Sequence, residues 1–128
     1  MSLAYTCLLI AGLLPLVCST VAKAGAKGFD NRAPREWLKQ QSGFRARAVA
    51  AEANTLEAFP LFAASLLAAI QTGVAASTIN ALAVTFVVAR VVYIYCYLSD
   101  NATLRATGWG VGWVCVLALA VLAIRAAS

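Results

Sequence analysis

Three long stretches of the chain carry no charged side chain, and their lengths predict where it crosses a membrane. They cover residues 1–22, 58–89 and 106–124. A spanning helix needs about 20 mostly apolar residues, so the first and last stretches predict one helix each. The middle stretch is too long for one span and has a polar break at residues 71–73, which favours two helices. The pattern therefore predicts an all-α membrane protein with a four-helix bundle.

The predicted helices cover about 2–22, 46–71, 76–98 and 105–125, within one domain spanning residues 1–128. The composition agrees, because 62% of the residues are hydrophobic and 12% are charged, whereas soluble domains carry about 25% charged residues. The apolar start lacks a preceding Lys or Arg and is longer than the apolar core of a typical signal peptide. We therefore interpret it as a helix of the bundle.

The basic residues predict the orientation of the chain. Residues 23–47 contain seven basic and two acidic side chains, and seven minus two gives the +5 formal charge of the whole chain. The positive-inside rule then places the loop at 23–44 in the cytoplasm and both termini on the other side. Within this loop, residues 35–41 could form a short interfacial helix. No nucleic-acid-binding fold fits four membrane helices, so we expect no nucleic-acid partner.

Some kinds of chemistry are excluded by residue type. The chain contains no histidine, which excludes histidine-based acid–base catalysis. Its four cysteines all fall within predicted helices, and none has the spacing of a metal-binding pair. We therefore expect no metal cofactor.

Polar side chains inside the two middle helices form a predicted layer. The midpoint of positions 57 and 90 is 73.5, and positions 54 and 93 have the same midpoint. Because antiparallel helices rise equally per residue, Glu57 is expected level with Arg90, and Asn54 level with Tyr93. The layer also includes Arg47 and Tyr97, which lie on the same helix faces.

This layer has two interpretations. In the structural one, Glu57 and Arg90 neutralise each other as an ion pair, while Asn54 and the tyrosines join the helices by hydrogen bonds. In the functional one, the layer is a polar pocket for a charged ligand that enters from the cytoplasm. Ionisable side chains inside a membrane commonly mark functional sites, and the layer contains more polar groups than one ion pair requires.

Two segments of the chain resemble known motifs. Residues 47–62 have an Arg seven positions before an Asn, a Glu three after it, and a Pro three further on. Residues 90–97, followed by Leu104 and Arg105, resemble a third-helix motif and the Arg at the start of a fourth helix. Together these motifs resemble those of a bacterial-type member of the MAPEG family (membrane-associated proteins in eicosanoid and glutathione metabolism).

This resemblance implies a homotrimer of four-helix subunits in a bacterial inner membrane, with glutathione bound between subunits near the cytoplasmic face. It implies that Arg105 stabilises the glutathione thiolate as the catalytic residue. The second substrate would be a lipophilic electrophile, in a transferase or peroxidase reaction. The implied glutathione-binding residues are Arg47, Asn54, Glu57, Arg90, Tyr93 and Tyr97.

The chain departs from the family pattern at three positions. Ala50 and Ala53 stand where some members carry basic residues, and Ala106 stands where a prostaglandin-synthase-like member has Ser. Two alternatives to the enzyme are therefore kept: a non-catalytic protein that binds lipids or a partner, and a small four-helix exporter. The exporter is the least favoured, since its carboxylate would need alternating access to both sides, whereas Glu57 lies nearer one face.

Overall fold

The four long helices of the protein form where the sequence has apolar stretches long enough to cross a membrane. The computed structural model describes all residues from 1 to 128, with the element order α1 (Ser2–Lys23), α2 (Pro34–Lys39), α3 (Gly43–Gln71), α4 (Ala76–Leu98) and α5 (Ala102–Ala127). All but α2 are long and apolar enough to cross a membrane. The predicted all-α, four-span architecture is therefore confirmed. The short helix α2 lies within the loop, where the sequence predicts an interfacial helix.

The turns between the helices place the polar residues of the site. Gly73 adopts a φ of 79° in the α3–α4 turn, a left-handed conformation that glycine takes without strain. In the α4–α5 turn, Asp100 adopts a φ of 62°. The Asn101 side chain then accepts a hydrogen bond from the Leu104 amide at 3.2 Å. This cap starts α5 at Ala102, three residues earlier than the sequence suggests.

Small side chains allow the helices to approach closely around an apolar core. Alanine and cysteine recur on the inward face of α1, at Ala4, Cys7 and Ala11. In the centre of the bundle the rings of Phe62 and Phe86 are stacked, with centroids 3.8 Å apart. Lipid supplies no hydrophobic drive for helices to associate, so close van der Waals contact of this kind stabilises a membrane bundle. All four cysteines are buried and unpaired.

Gly108 allows α5 to lie in close contact with the backbone of α4. A Cβ at this position would lie 3.0 Å from the Ala89 carbonyl oxygen and 3.3 Å from the Tyr93 nitrogen. Both atoms belong to the α4 backbone, so neither can move aside as a side chain would. The contact fixes the distance between the helix that carries Tyr93 and the helix that carries Arg105.

We expect Gly108→Ala to destabilise the bundle. Overpacking of this kind typically costs about 1–3 kcal/mol, so the melting temperature in detergent should fall. Gly110→Ala is the matched control, because a Cβ at Gly110 meets no atom within 4 Å. Equal melting temperatures for the two variants would contradict the assigned role of Gly108.

Candidate functional site

Two arginines and two tyrosines form a continuous stack at the loop end of the bundle. The Arg90 guanidinium lies over the Tyr93 ring, with its carbon 4.1 Å from the ring centroid. The Tyr93 and Tyr97 rings meet edge to face at 5.6 Å. The Arg105 guanidinium lies over Tyr97 at 4.4 Å. We call these four residues the arginine–tyrosine column.

Local sequence explains why the column forms. Arg90, Tyr93 and Tyr97 are spaced by three and four residues, so they share one face of α4. Arg105 reaches the same face because the turn between α4 and α5 is short and α5 begins at Ala102. Tyrosine and arginine are suited to such stacking, since the face of the ring attracts a cation.

Arg90 is held at the buried end of the column by two adjacent residues of α3. Its Nη1 donates to Asn54 Oδ1 at 3.0 Å, and its Nη2 donates to Thr55 Oγ1 at 2.8 Å. Arg90 is only 2% exposed, and its Nε has no hydrogen-bond partner. The chain therefore contains a buried cation that is bound by neutral groups alone.

The predicted ion pair between Glu57 and Arg90 is wrong. Glu57 is exposed on the outer face of α3, and the chain's one ion pair joins Lys39 to Glu36 at 3.2 Å in the loop helix. The reason is rotation about the helix axis. Thr55 faces inward, and Glu57 lies two residues further along, about 200° around the helix. Equal depth in the membrane therefore does not bring Glu57 to Arg90.

The Arg47 side chain is hydrogen-bonded to the C-terminal end of a neighbouring helix, α4. Its Nε and Nη2 both donate to the Leu98 carbonyl oxygen, at 3.3 and 3.2 Å. Leu98 is the last residue of α4, where helix carbonyls lack partners within the helix. Arg45 does the same for α1, with Nη1 donating to the Ala22 carbonyl oxygen at 2.8 Å. These two side chains fix the start of α3 against the ends of α1 and α4.

Arg105 lies at a strongly positive point of the bundle. It is the fourth residue of α5, so it sits in the helical turn where backbone amides create a partial positive charge. The first turn contains no acidic residue, and Arg105 makes no ion pair. A cation and a helix N-terminus therefore act together at a half-buried position, an arrangement that favours a bound anion.

The structure brings together five of the seven residues that the sequence selects. These are Asn54, Arg90, Tyr93, Tyr97 and Arg105, which are joined by hydrogen bonds or ring contacts. The other two lie apart from the column, since Glu57 faces outward and Arg47 holds the end of α4.

Sequence reasoning missed Thr55. It occupies the buried stripe of α3 with Ala51, Ala58 and Phe62. A hydroxyl within an otherwise apolar stripe was the available signal. No group of three His, Cys, Asp or Glu side chains is positioned to hold a metal ion.

A known protein family matches nearly the whole chain. No individual curated protein and no solved structure matches the chain. The sequence model of the MAPEG family matches residues 3–125, which is nearly the whole chain and includes every residue of the column. The chain is therefore an integral, multi-pass membrane protein that belongs to the MAPEG family.

Proposed function

We propose that the protein is a glutathione-dependent transferase or peroxidase that acts on lipophilic electrophiles. The observation that carries this proposal is the position of Arg105, held over Tyr97 at the N-terminus of α5 with no carboxylate to neutralise it. A free thiol with a pKa near 8.5 is mostly protonated at neutral pH, and a nearby cation lowers that pKa. Arg105 would therefore hold glutathione as the reactive thiolate.

Polar groups beside the column and further from it suit the rest of the tripeptide. Glutathione carries two carboxylates and an ammonium group, so its site requires both cations and a carboxylate. Arg47 has Nη1 left free of protein partners, and Asn54 is partly exposed beside Arg90. Glu57 offers a carboxylate with no cation partner in the chain.

Glu57 also supports assembly as a homotrimer. It lies within a spanning helix and is exposed on the surface of the single chain. A charged side chain facing lipid costs at least about 2.5 kcal/mol, so a neighbouring subunit or a ligand between subunits would stabilise it. Cross-linking in native membranes should give a ladder that ends at the trimer, and a ladder ending at the dimer would contradict this assembly.

A groove on the outer face of α4 and α5 suits an apolar second substrate. It has a volume of about 330 Å³ and is open toward the surrounding lipid. Its walls are mostly apolar and include four valines, and the lining residue Leu104 is adjacent in sequence to Arg105. A compound dissolved in the bilayer could therefore approach the thiolate without passing through water.

A glutathione titration of the purified protein tests the proposed function. Tyr93, Tyr97 and the two tryptophans of α5 lie at or near the site, so we expect intrinsic fluorescence to change with saturation at millimolar glutathione or below. S-methylglutathione should bind but give no thiolate absorption, because its sulfur cannot ionise. If neither compound binds, the enzyme proposal fails and a lipid- or partner-binding protein takes its place.

We propose further that both termini are non-cytoplasmic, in a bacterial inner membrane. The basic residues of the α1–α3 loop support this orientation, because the positive-inside rule places such a loop in the cytoplasm. Ser128→Cys places a thiol at the exposed C-terminal end of α5, while the four native cysteines are buried. A membrane-impermeant maleimide should label this variant in intact cells. Labelling that requires permeabilised cells would reverse the orientation.

A further inference from the structure

One buried hydroxyl joins α3 to α4 beneath the site. Thr55 Oγ1 donates to the Ala51 carbonyl oxygen at 2.7 Å and accepts from Arg90 Nη2 at 2.8 Å. Thr55 is 3% exposed. Several other threonines bond the carbonyl four residues earlier, as Thr20 does with Leu16 at 2.8 Å. Thr55 alone among them also accepts a hydrogen bond from another helix.

The two neighbours Asn54 and Thr55 differ in what else they can contact. Together they hold both Nη atoms of Arg90, which sets the plane of the guanidinium against the Tyr93 ring. Asn54 is partly exposed, so a ligand can compete for its amide. Thr55 is out of reach of any ligand. A ligand can therefore compete directly for Asn54 and is shielded from Thr55.

We propose that Thr55 is a positioning residue for glutathione binding, an inference that rests on the proposed function. Thr55 holds Arg90 in place, Arg90 supports the Tyr93 ring, and Tyr93 contacts Tyr97 at the base of Arg105. Thr55 itself does not touch the substrate. The hydroxyl is required because it donates to the Ala51 carbonyl oxygen and accepts from Arg90 at the same time. The first bond orients the oxygen so that its lone pair faces Arg90.

The test compares Thr55→Val, which keeps the shape of the side chain, with Thr55→Ser, which keeps the hydroxyl. A hydrogen bond to a charged group is lost in Thr55→Val, so we expect the glutathione Kd to rise at least about tenfold. The thiolate absorbance at saturating glutathione should change little, because Arg105 rests on Tyr97 and on the start of α5. Thr55→Ser should restore a Kd within about threefold of the wild type.

Thr20→Val is the matched control. It removes an equivalent bond to a carbonyl four residues earlier, but the Thr20 side chain is exposed and its hydroxyl bonds only the Leu16 carbonyl oxygen. Its glutathione Kd should equal that of the wild type. A purely structural effect of Thr55 would lower the melting temperature of Thr55→Val and leave the glutathione Kd of the folded variant unchanged.

Near-ultraviolet circular dichroism of the ligand-free protein separates this inference from the proposed function. Thr55→Val should change the tyrosine bands, since Tyr93 loses a fixed guanidinium over its ring, whereas Thr20→Val should not. A wild type that binds no glutathione would overturn the proposed function, and the spectrum would still show whether Thr55 orders the column. Unchanged tyrosine bands, or a Kd for Thr55→Val within twofold of a binding wild type, would overturn the role of Thr55.

Discussion

Replacing Arg105 with Ala is expected to abolish the glutathione thiolate while leaving the protein folded. A fixed cation beside the sulfur acts in a poorly hydrated site, where charge interactions are strong. Loss of one such stabilising group typically lowers kcat by about 10²–10³. The fold should survive, because the Arg105 side chain makes no hydrogen bond or ion pair within the chain and contacts Tyr97 only through its ring.

The thiolate absorbs in the near ultraviolet, so a difference spectrum with and without glutathione measures the effect of Arg105→Ala directly. Arg105→Lys should recover part of the signal, since the charge is retained but the planar guanidinium that stacks on Tyr97 is lost. Arg125→Ala is the matched control, because Arg125 lies in the last turn of the same helix and is exposed. Full thiolate absorbance in Arg105→Ala would exclude Arg105 as the activating group.

The second large effect concerns stability, and it involves Asn54. Asn54→Ala leaves Arg90 Nη1 without a partner in a buried position. A hydrogen bond to a charged group contributes about 1.5–3 kcal/mol, and the unsatisfied donor adds to the loss. We therefore expect Asn54→Ala to reduce the free energy of unfolding by about 2–3 kcal/mol, measured by reversible denaturation in mixed micelles.

A double-mutant cycle identifies the partner of Arg90. Asn54→Ala and Arg90→Met should be coupled by more than about 1 kcal/mol, as contacting residues usually are. Glu57→Gln and Arg90→Met should add within about 0.5 kcal/mol, as independent sites do. Strong coupling between Glu57 and Arg90, with additivity between Asn54 and Arg90, would restore the ion pair that the structure contradicts.

A strong effect on function does not require proximity to the substrate in this fold. Gly108 sets the distance between α4 and α5, and Thr55 sets the position of Arg90. Neither residue is ionisable, and the Thr55 side chain is almost completely buried. Substitutions at these two positions are therefore expected to change the column through the backbone and through Arg90.

The architecture could be predicted from the amino-acid sequence because membrane insertion depends on length and polarity. A charge-free stretch of 19 residues at 106–124 identifies a span without reference to any other part of the chain. The spacing of Arg90, Tyr93 and Tyr97 likewise identifies one helix face, since residues three and four apart are neighbours on any helix. Depth also follows from sequence, because the rise per residue is constant.

Rotation of each helix about its axis was decided only by tertiary contacts. In a soluble helix the apolar face shows which side is inward, but lipid and bundle core are both apolar. Exposed Leu56 and Leu61 therefore look like buried Phe62 and Leu66 in the sequence. For this reason the sequence pattern predicts the depth of Glu57 but not the side of α3 on which it lies.

The roles of the polar side chains were decided in the same way. Arg47 and Arg105 both look like cations near a helix start, yet the Arg47 guanidinium binds the Leu98 carbonyl oxygen, whereas the Arg105 guanidinium stacks on the Tyr97 ring. Sequence by itself determined the four spans, the family motifs and the shared face of α4. The tertiary structure decided that Asn54 and Thr55 hold Arg90, because a hydrogen bond depends on the direction of two side chains as well as on their depth.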